Sequence, residues 1–438
     1  MKKRIIAVLL MLLLLPLPQA QARTKIPSVL KFSQKTESKT LRKGVTVKKT
    51  YPKTANAAVT KDMRALIDGM AKEGQTALPK ANAYLDVGAS VYRTGDRWMS
   101  FLTVARVVHS KKQTYVDCAA RVYNMKTGQR VELTDLFAPD SEGWAVLAAA
   151  VEEQLTAYFH GVQPNAEALS ALCSREALEQ APFTLTPGKL SLHYRAGALY
   201  PGKKTLMHVN LYYPQIRLYL TDDALKMTDN RRYGLIALTY DDGPSQGRTM
   251  NVMNQLRLHG ADATFFLIGS SFRNNDDVIC REHDAGYTVA SHNYYHVYTD
   301  LTAANIKKWK SAFQRKLNDL IGIQPPFMRA PGGHAREFAA GNCGLPLIQW
   351  SAATHDAPFG GASESEITRR ALAGAKDGAV ILMHDANALS PRYTESVLIT
   401  LEKRGYLCVT VDELFSIYGV QLQPNRIYYS AEKQAKKK

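Results

Sequence analysis

The chain has 438 residues, 45% of them hydrophobic and 22% charged, which excludes a disordered or fibrous chain and leaves room for about two to three globular domains. Its formal net charge of +17 favours polyanionic partners, yet no nucleic-acid motif accompanies it. Five scattered cysteines, with no C-x-x-C pair, exclude a disulfide framework and a thiolate zinc site, although a Cys118–Cys173 bridge stays open.

The first element is a targeting segment. Lys2, Lys3 and Arg4 precede the apolar run Ile5 to Leu15, which is too short to span a bilayer comfortably. Pro16 and Pro18 break the run, and Ala20-Gln21-Ala22 offers a small-x-small cleavage site. Residues 1–22 therefore read as a cleaved export signal. No later segment is long and apolar enough for a stable transmembrane anchor, so a secreted, cell-wall-associated protein is expected. Residues 23–54 are rich in Lys and Arg with little periodicity, and read as a basic linker.

Residues 55–222 read as a smaller α+β domain. "NAAVTKDMRALIDGMAKEGQTAL" has helical spacing. "AYLDVGASVYR", "WMSFLTVARVVH" and "TYVDCAARVYN" alternate as strands do. "SEGWAVLAAAVEEQLTAYF" predicts a helix capped by Ser141, and "GKLSLHYR" and "TLMHVNLYY" predict further strands. The histidines of this region, 109, 160, 193 and 208, are scattered, and no catalytic cluster is visible.

From 223 to 430 the pattern changes. Seven strand-like runs, "LIALTY", "ATFFLIG", "YTVASH", "PFMRAP", "LIQWSA", "AVILMH" and "LCVTV", alternate with helix-length amphipathic segments. Such alternation predicts a parallel sheet with right-handed crossovers, here an α/β fold with an incomplete (β/α)7 barrel as catalytic domain. Residues 431–438 read as a basic tail.

Barrels of this kind build their active sites at the C-terminal strand ends. Those ends carry Asp241 and Asp242 in "LTYDDGPS", His292 and His296 in "SHNYYH", Arg329, Asp356 and His384. Two adjacent acids at a strand end repel each other, which folding alone does not explain. On a helix the i, i+4 histidines would share a face and could hold one metal ion. With Asp242 they make a set suited to catalytic zinc or a similar divalent ion. One acid of the pair then binds the ion, and the other is free to take a proton from water.

Together "TYDDGPS", "HNYYH", "RAPGG", "WSAATHDA" and "ILMH" resemble, in order, the five motifs of the polysaccharide deacetylases, carbohydrate esterase family 4, over just under half the chain. The resemblance implies Asp241 as general base, and Asp242, His292 and His296 as ligands of a divalent metal, zinc foremost, with cobalt or manganese as alternatives. It implies Arg329 orienting Asp241, and His384 as general acid oriented by Asp356. It also implies Leu382 in the acetyl pocket and a backbone N–H near Gly332 on the oxyanion. Tyr295 and Trp350 are candidates for stacking on sugar rings, as are Tyr294 and Tyr298. Asn293 departs from the commoner Ser or Thr, and its amide can serve the same loop. Gly332 and Ala357 stand where aromatics are frequent, which implies a more open groove. "YNMKTGQRVELTDLF" is similar to a segment of a domain in exported wall proteins that accompanies some Bacillus-type peptidoglycan deacetylases.

The expected function is thus removal of N-acetyl groups from peptidoglycan amino sugars or a related aminoglycan, with anionic wall polymers as further partners. The alternatives are an O-acetyl-xylan or chitin deacetylase on the same site, or a non-catalytic wall-binding or sensing protein.

Overall fold

In the computed structural model, which describes residues 24–357 and 361–432, the segment expected to be a basic linker is instead a β-hairpin. Its strands are β1 (Phe32–Arg42) and β2 (Val45–Thr54). Val47 and Tyr51 of β2 pack against the helix Ala57–Gln75, while Lys48 and Lys49 stay partly exposed. β1 is an exposed edge carrying Lys35, Lys39 and Arg42, and cations on an edge discourage pairing with another chain. Part of the charge that reads as linker composition thus guards the edge, while Lys49 on interior β2 pairs with Asp68 at 2.6 Å. The expected export signal and nearly all of the basic tail lie outside the described residues.

β3 (Ala83–Thr94), β4 (Trp98–His109), β5 (Lys112–Asn124) and β6 (Arg130–Val131) complete a six-stranded sheet in the order β1-β2-β3-β4-β5-β6, in which β2 and β3 are the parallel pair. In "YLDVGASVY", Leu85, Val87, Ala89 and Val91 join the cores under the helix Ala57–Gln75. Asp86, Gly88, Ser90 and Tyr92 face the other way, and they are buried too, because the barrel packs on that face. Asp86 pairs with Arg281, and the Tyr92 hydroxyl donates to the Ala285 carbonyl at 2.7 Å. A Cβ on Gly88 would meet Arg257 Nη1 at 2.5 Å and Thr50 Cβ at 3.1 Å, so a larger residue here would have to displace the Arg257 guanidinium.

A second antiparallel sheet, β7 (Phe183–Leu185), β8 (Lys189–Arg195) and β9 (Leu206–Tyr212), lies under the helix Gly143–Ala157. Ser141 Oγ accepts from the Gly143 N–H at 3.0 Å at the start of that helix. The β8–β9 register sets His193 opposite His208. Thr184 donates to His193 Nε2 at 2.9 Å, the two Nδ1 atoms meet at 2.8 Å, and His208 Nε2 donates to the His283 carbonyl at 2.9 Å. Two histidines that look scattered in sequence thus form a buried chain tying this sheet to a barrel helix.

The barrel strands are β10 (Gly234–Gly243), β11 (Thr264–Leu267), β12 (Thr288–Ser291), β13 (Leu347–Ile348), β14 (Ala352–Ala353), β15 (Ala379–His384), β16 (Tyr406–Val409) and β17 (Ile427–Tyr428). Every ladder among them is parallel, and the strands are nearly continuous apolar runs, as burial on both faces requires. β10 is central: β15 and then β14 lie on one side, while on the other β16 pairs with the first half of β10 and β11 with its second half, with β12 beyond β11. Beyond β12 the wall continues through single bridges at Met328 to β13 and β17, so the expected strand "PFMRAP" supplies only a bridge. Helices at Arg248–His259, Asp276–Asp284, Ala303–Ile321, Glu364–Ala373 and Ser390–Lys403 connect the strands. Among the described residues no helix is long and apolar enough to cross a membrane. All five cysteines are free, so Cys118 and Cys173 do not pair.

Candidate active site

The register of β10 places Asp241 between Phe266 on β11 and His384 on β15. The ladder then slips by one residue, and Asp242 takes a left-handed backbone with φ +76°, uncommon for any residue with a side chain. This twist sends the two neighbouring carboxylates to different partners. Asp241 Oδ1 accepts from Arg329 Nη1 at 2.7 Å. Asp242 Oδ1 lies 3.6 Å from His292 Nε2 and 3.4 Å from His296 Nε2.

The His292–His296 pair does not sit on a helix, contrary to the i, i+4 expectation. It spans an irregular turn after β12 in which Asn293 has φ +66°. The Asn293 amide donates to the Tyr295 carbonyl at 3.0 Å, the loop bond expected of it. His292 Nδ1 donates to the Arg329 carbonyl at 2.9 Å, which leaves the Nε2 lone pair free. Burial holds the His292 imidazole down to about 3, against the opposing charge of Asp242, so the ring is neutral at ordinary pH.

These three residues fit a divalent cation. Their ligating atoms all lie within 4.8 Å of one another. Asp242 Oδ1 is buried without a hydrogen-bond partner, a costly state that a cation relieves.

Arg329 is fully buried. It also donates to Thr239 Oγ1 at 2.8 Å and to the Ile348 carbonyl at 3.0 Å, and its guanidinium lies over Phe266. Burial raises Asp241 above the usual carboxylate range, and Arg329 and then His384 oppose that rise by charge.

His384 Nδ1 donates to Asp356 Oδ1 at 2.8 Å, and the His384 backbone N–H donates to Asp356 Oδ2 at 2.8 Å. Thr354 donates to Asp356 Oδ1 at 2.6 Å, and the Tyr393 hydroxyl also bonds to this carboxylate. Burial works to lower the His384 value, but the Asp356 bond and charge, with Asp241 and Asp242 behind them, raise it to about 9. A group raised in this way holds its proton below about pH 9. Turnover that needs this proton should therefore fall as pH rises through about 9. In Asp356→Asn that alkaline limb should move to lower pH, which a rate profile measures; an unmoved limb would show that Asp356 does not set it.

The remaining expected residues divide. Leu382 is buried two residues before His384, on the same face of β15. Trp350 lies 5.8 Å from the Arg329 guanidinium and would meet a Cβ on Gly333 at 3.4 Å. Tyr295 is exposed and packs edge-on against Tyr294, 4.7 Å between centroids, rather than against the cluster. Gly332 has φ +61°, but the groove is not opened there: a Cβ on it would come within 2.5 Å of the Tyr298 ring. Sequence reasoning missed Thr354, Tyr393 and Asp385. Tyr393 lies on the helix Ser390–Lys403, away from any motif. Asp385 follows His384 directly; burial pushes its carboxyl up to about 7, and Thr249 donates to it.

A family model for polysaccharide deacetylase matches residues 228–344. The peptidoglycan-N-acetylglucosamine deacetylase of Listeria monocytogenes is 31% identical over 319 residues, 71% of this chain and 67% of that protein. A bifunctional xylanase/deacetylase of Pseudobutyrivibrio xylanivorans is 33% identical over 205 residues, covering 46% of this chain and 33% of its own. The peptidoglycan-N-acetylmuramic acid deacetylase of Bacillus subtilis is 27% identical over 181 residues, 41% and 38% of the two chains. The chain belongs to the polysaccharide deacetylase family. It is a hydrolase of the class expected, acting on carbon–nitrogen bonds, and the family is metal-dependent.

Proposed function

We propose that this protein removes N-acetyl groups from peptidoglycan amino sugars, releasing acetate and a free amine, at the wall outside the membrane. The observation that carries this reading is the pairing of Asp241 with His384 across adjacent strand ends, beside the Asp242, His292 and His296 cluster. The names of the wall-acting relatives support the choice of substrate.

Asp242, His292 and His296 would hold the divalent cation, and two imidazoles with one carboxylate suit zinc best, before cobalt or manganese. Such a cation, when bound, supplies Lewis acidity that polarises the acetyl carbonyl and makes water more acidic. Asp241 is the base. Arg329 occupies its Oδ1, so Oδ2 is the atom left to accept a proton from the attacking water. His384 is the acid. Asp356 occupies Nδ1, so Nε2 carries the proton that the leaving amine needs. Leu382, on the face of β15 that carries His384, would receive the acetyl methyl. The backbone N–H near Gly332 would take the oxyanion, and Trp350 and Tyr295 would flank the sugars.

Incubation with peptidoglycan fragments and mass spectrometry tests this reading. Acetate loss is expected from an amino sugar, abolished by chelation and restored by Zn²⁺. Release that ignores the chelator, or that occurs only from acetylated xylan, would overturn it.

A further inference from the structure

We propose that Tyr298 is a positioning and specificity residue of this site: its hydroxyl fixes the second histidine ligand, and its ring forms the groove wall above Gly332. This rests on the reading of Asp242, His292 and His296 as one metal site.

The two histidines are oriented by unlike partners. His292 is fixed by a buried backbone carbonyl, that of Arg329, at 2.9 Å. His296 turns Nε2 toward Asp242 at 3.4 Å, and its Nδ1 lies 3.1 Å from the Tyr298 hydroxyl oxygen. A ligating Nε2 needs its lone pair, so the ring proton sits on Nδ1 and is donated to Tyr298. A hydrogen bond of this kind sets the tautomer and plane of a ligand. Here it comes from a side chain that is 51% exposed and plays no part in the hydrophobic core.

The ring has a second role. Its centroid lies 5.1 Å from that of His296 and 5.8 Å from that of His334. A Cβ on Gly332 would stand 2.5 Å and 2.8 Å from Tyr298 Cε1 and Cδ1. The ring therefore fills the surface that Gly332 lacks and leaves an aromatic face at the rim of the cluster. Such a face suits the apolar C–H side of a pyranose ring beside the acetylated sugar.

The two roles separate in Tyr298→Phe and Tyr298→Leu. Zn²⁺ affinity of the metal-free proteins, measured by competition with a chromophoric chelator, should fall about tenfold or more in both variants. Thermal unfolding of the metal-free proteins should not change, since the side chain is half in solvent. Affinity of the metal-free proteins for a soluble N-acetylglucosamine oligomer, measured by calorimetry, should fall about 3–10-fold in Tyr298→Leu and be rescued in Tyr298→Phe. Wild-type Zn²⁺ affinity in Tyr298→Phe overturns the role of the hydroxyl. Unchanged oligomer affinity in Tyr298→Leu, or none in the wild type, overturns the role of the ring. Neither measurement needs turnover, so a failure to release acetate would fall on the functional reading alone.

Discussion

Asp241→Asn and His384→Ala are each expected to slow acetate release by about 10²–10⁴-fold, the usual worth of one general base or acid, while the protein keeps its metal. Asp241 bonds to Arg329 and lies 3.8 Å from His292 Nε2, outside the three-residue cluster. Asn in its place keeps the shape and the Arg329 contact but loses the basic oxygen. His384 stands on the neighbouring strand, and its removal takes away the proton held by the Asp356 bond. Metal content by elemental analysis, set beside turnover on soluble fragments, separates this from damage to the cluster. Near-normal turnover by either metal-loaded variant would show the roles wrongly assigned.

Asp86→Ala should destabilise the whole chain by about 3–5 kcal/mol, the cost of breaking a buried ion pair by removing one partner. Asp86 on β3 is 4% exposed and pairs with Arg281 on the barrel helix Asp276–Asp284. Burial works to raise its carboxyl, but Arg281, Arg257 and Arg106 outweigh it and hold the group well below the usual range. A depressed carboxylate stabilises fully above its unfolded value of about 3.9 and loses that contribution progressively as pH falls from there through the lower folded value. The difference between wild type and variant should therefore stay constant from about pH 5 to 8 in denaturant unfolding. It should narrow progressively below about pH 4. A loss under about 1 kcal/mol, as for a surface pair, would mean that water reaches the site.

The candidate site was legible where chemistry dictates residue type. A pair of acids, a pair of histidines, an arginine and a further histidine stand at or just past strand ends, and these are the residue types that the proposed metal site and base–acid pair require. The strands themselves were legible from apolar runs. Less legible was anything set by a partner distant in sequence. A spacing of four suits a helix, but an irregular loop closed by Asn293 shows the same spacing in the turn that carries His292 and His296. Tyr393 on its helix and Thr354 just past β14 hold Asp356, but a hydroxyl in either place looks the same in sequence whether or not it meets a carboxylate.

The sequence by itself determined the alternation of strands and helices after residue 230, the residue types at the strand ends and the apolar face of "YLDVGASVY". These are local properties, written in side-chain periods of two and 3.6 residues. The tertiary structure alone decided that Asp241 lies beside His384, that a left-handed twist at Asp242 parts two adjacent acids, and that Tyr298 fills the space over Gly332. It alone turned the basic residues 32–54 into a hairpin whose first strand is the sheet edge, and buried Asp86, Gly88, Ser90 and Tyr92 against the barrel. A period tells which residues share a face. What that face meets depends on strand register and on packing between elements far apart in the chain, and no local pattern encodes either.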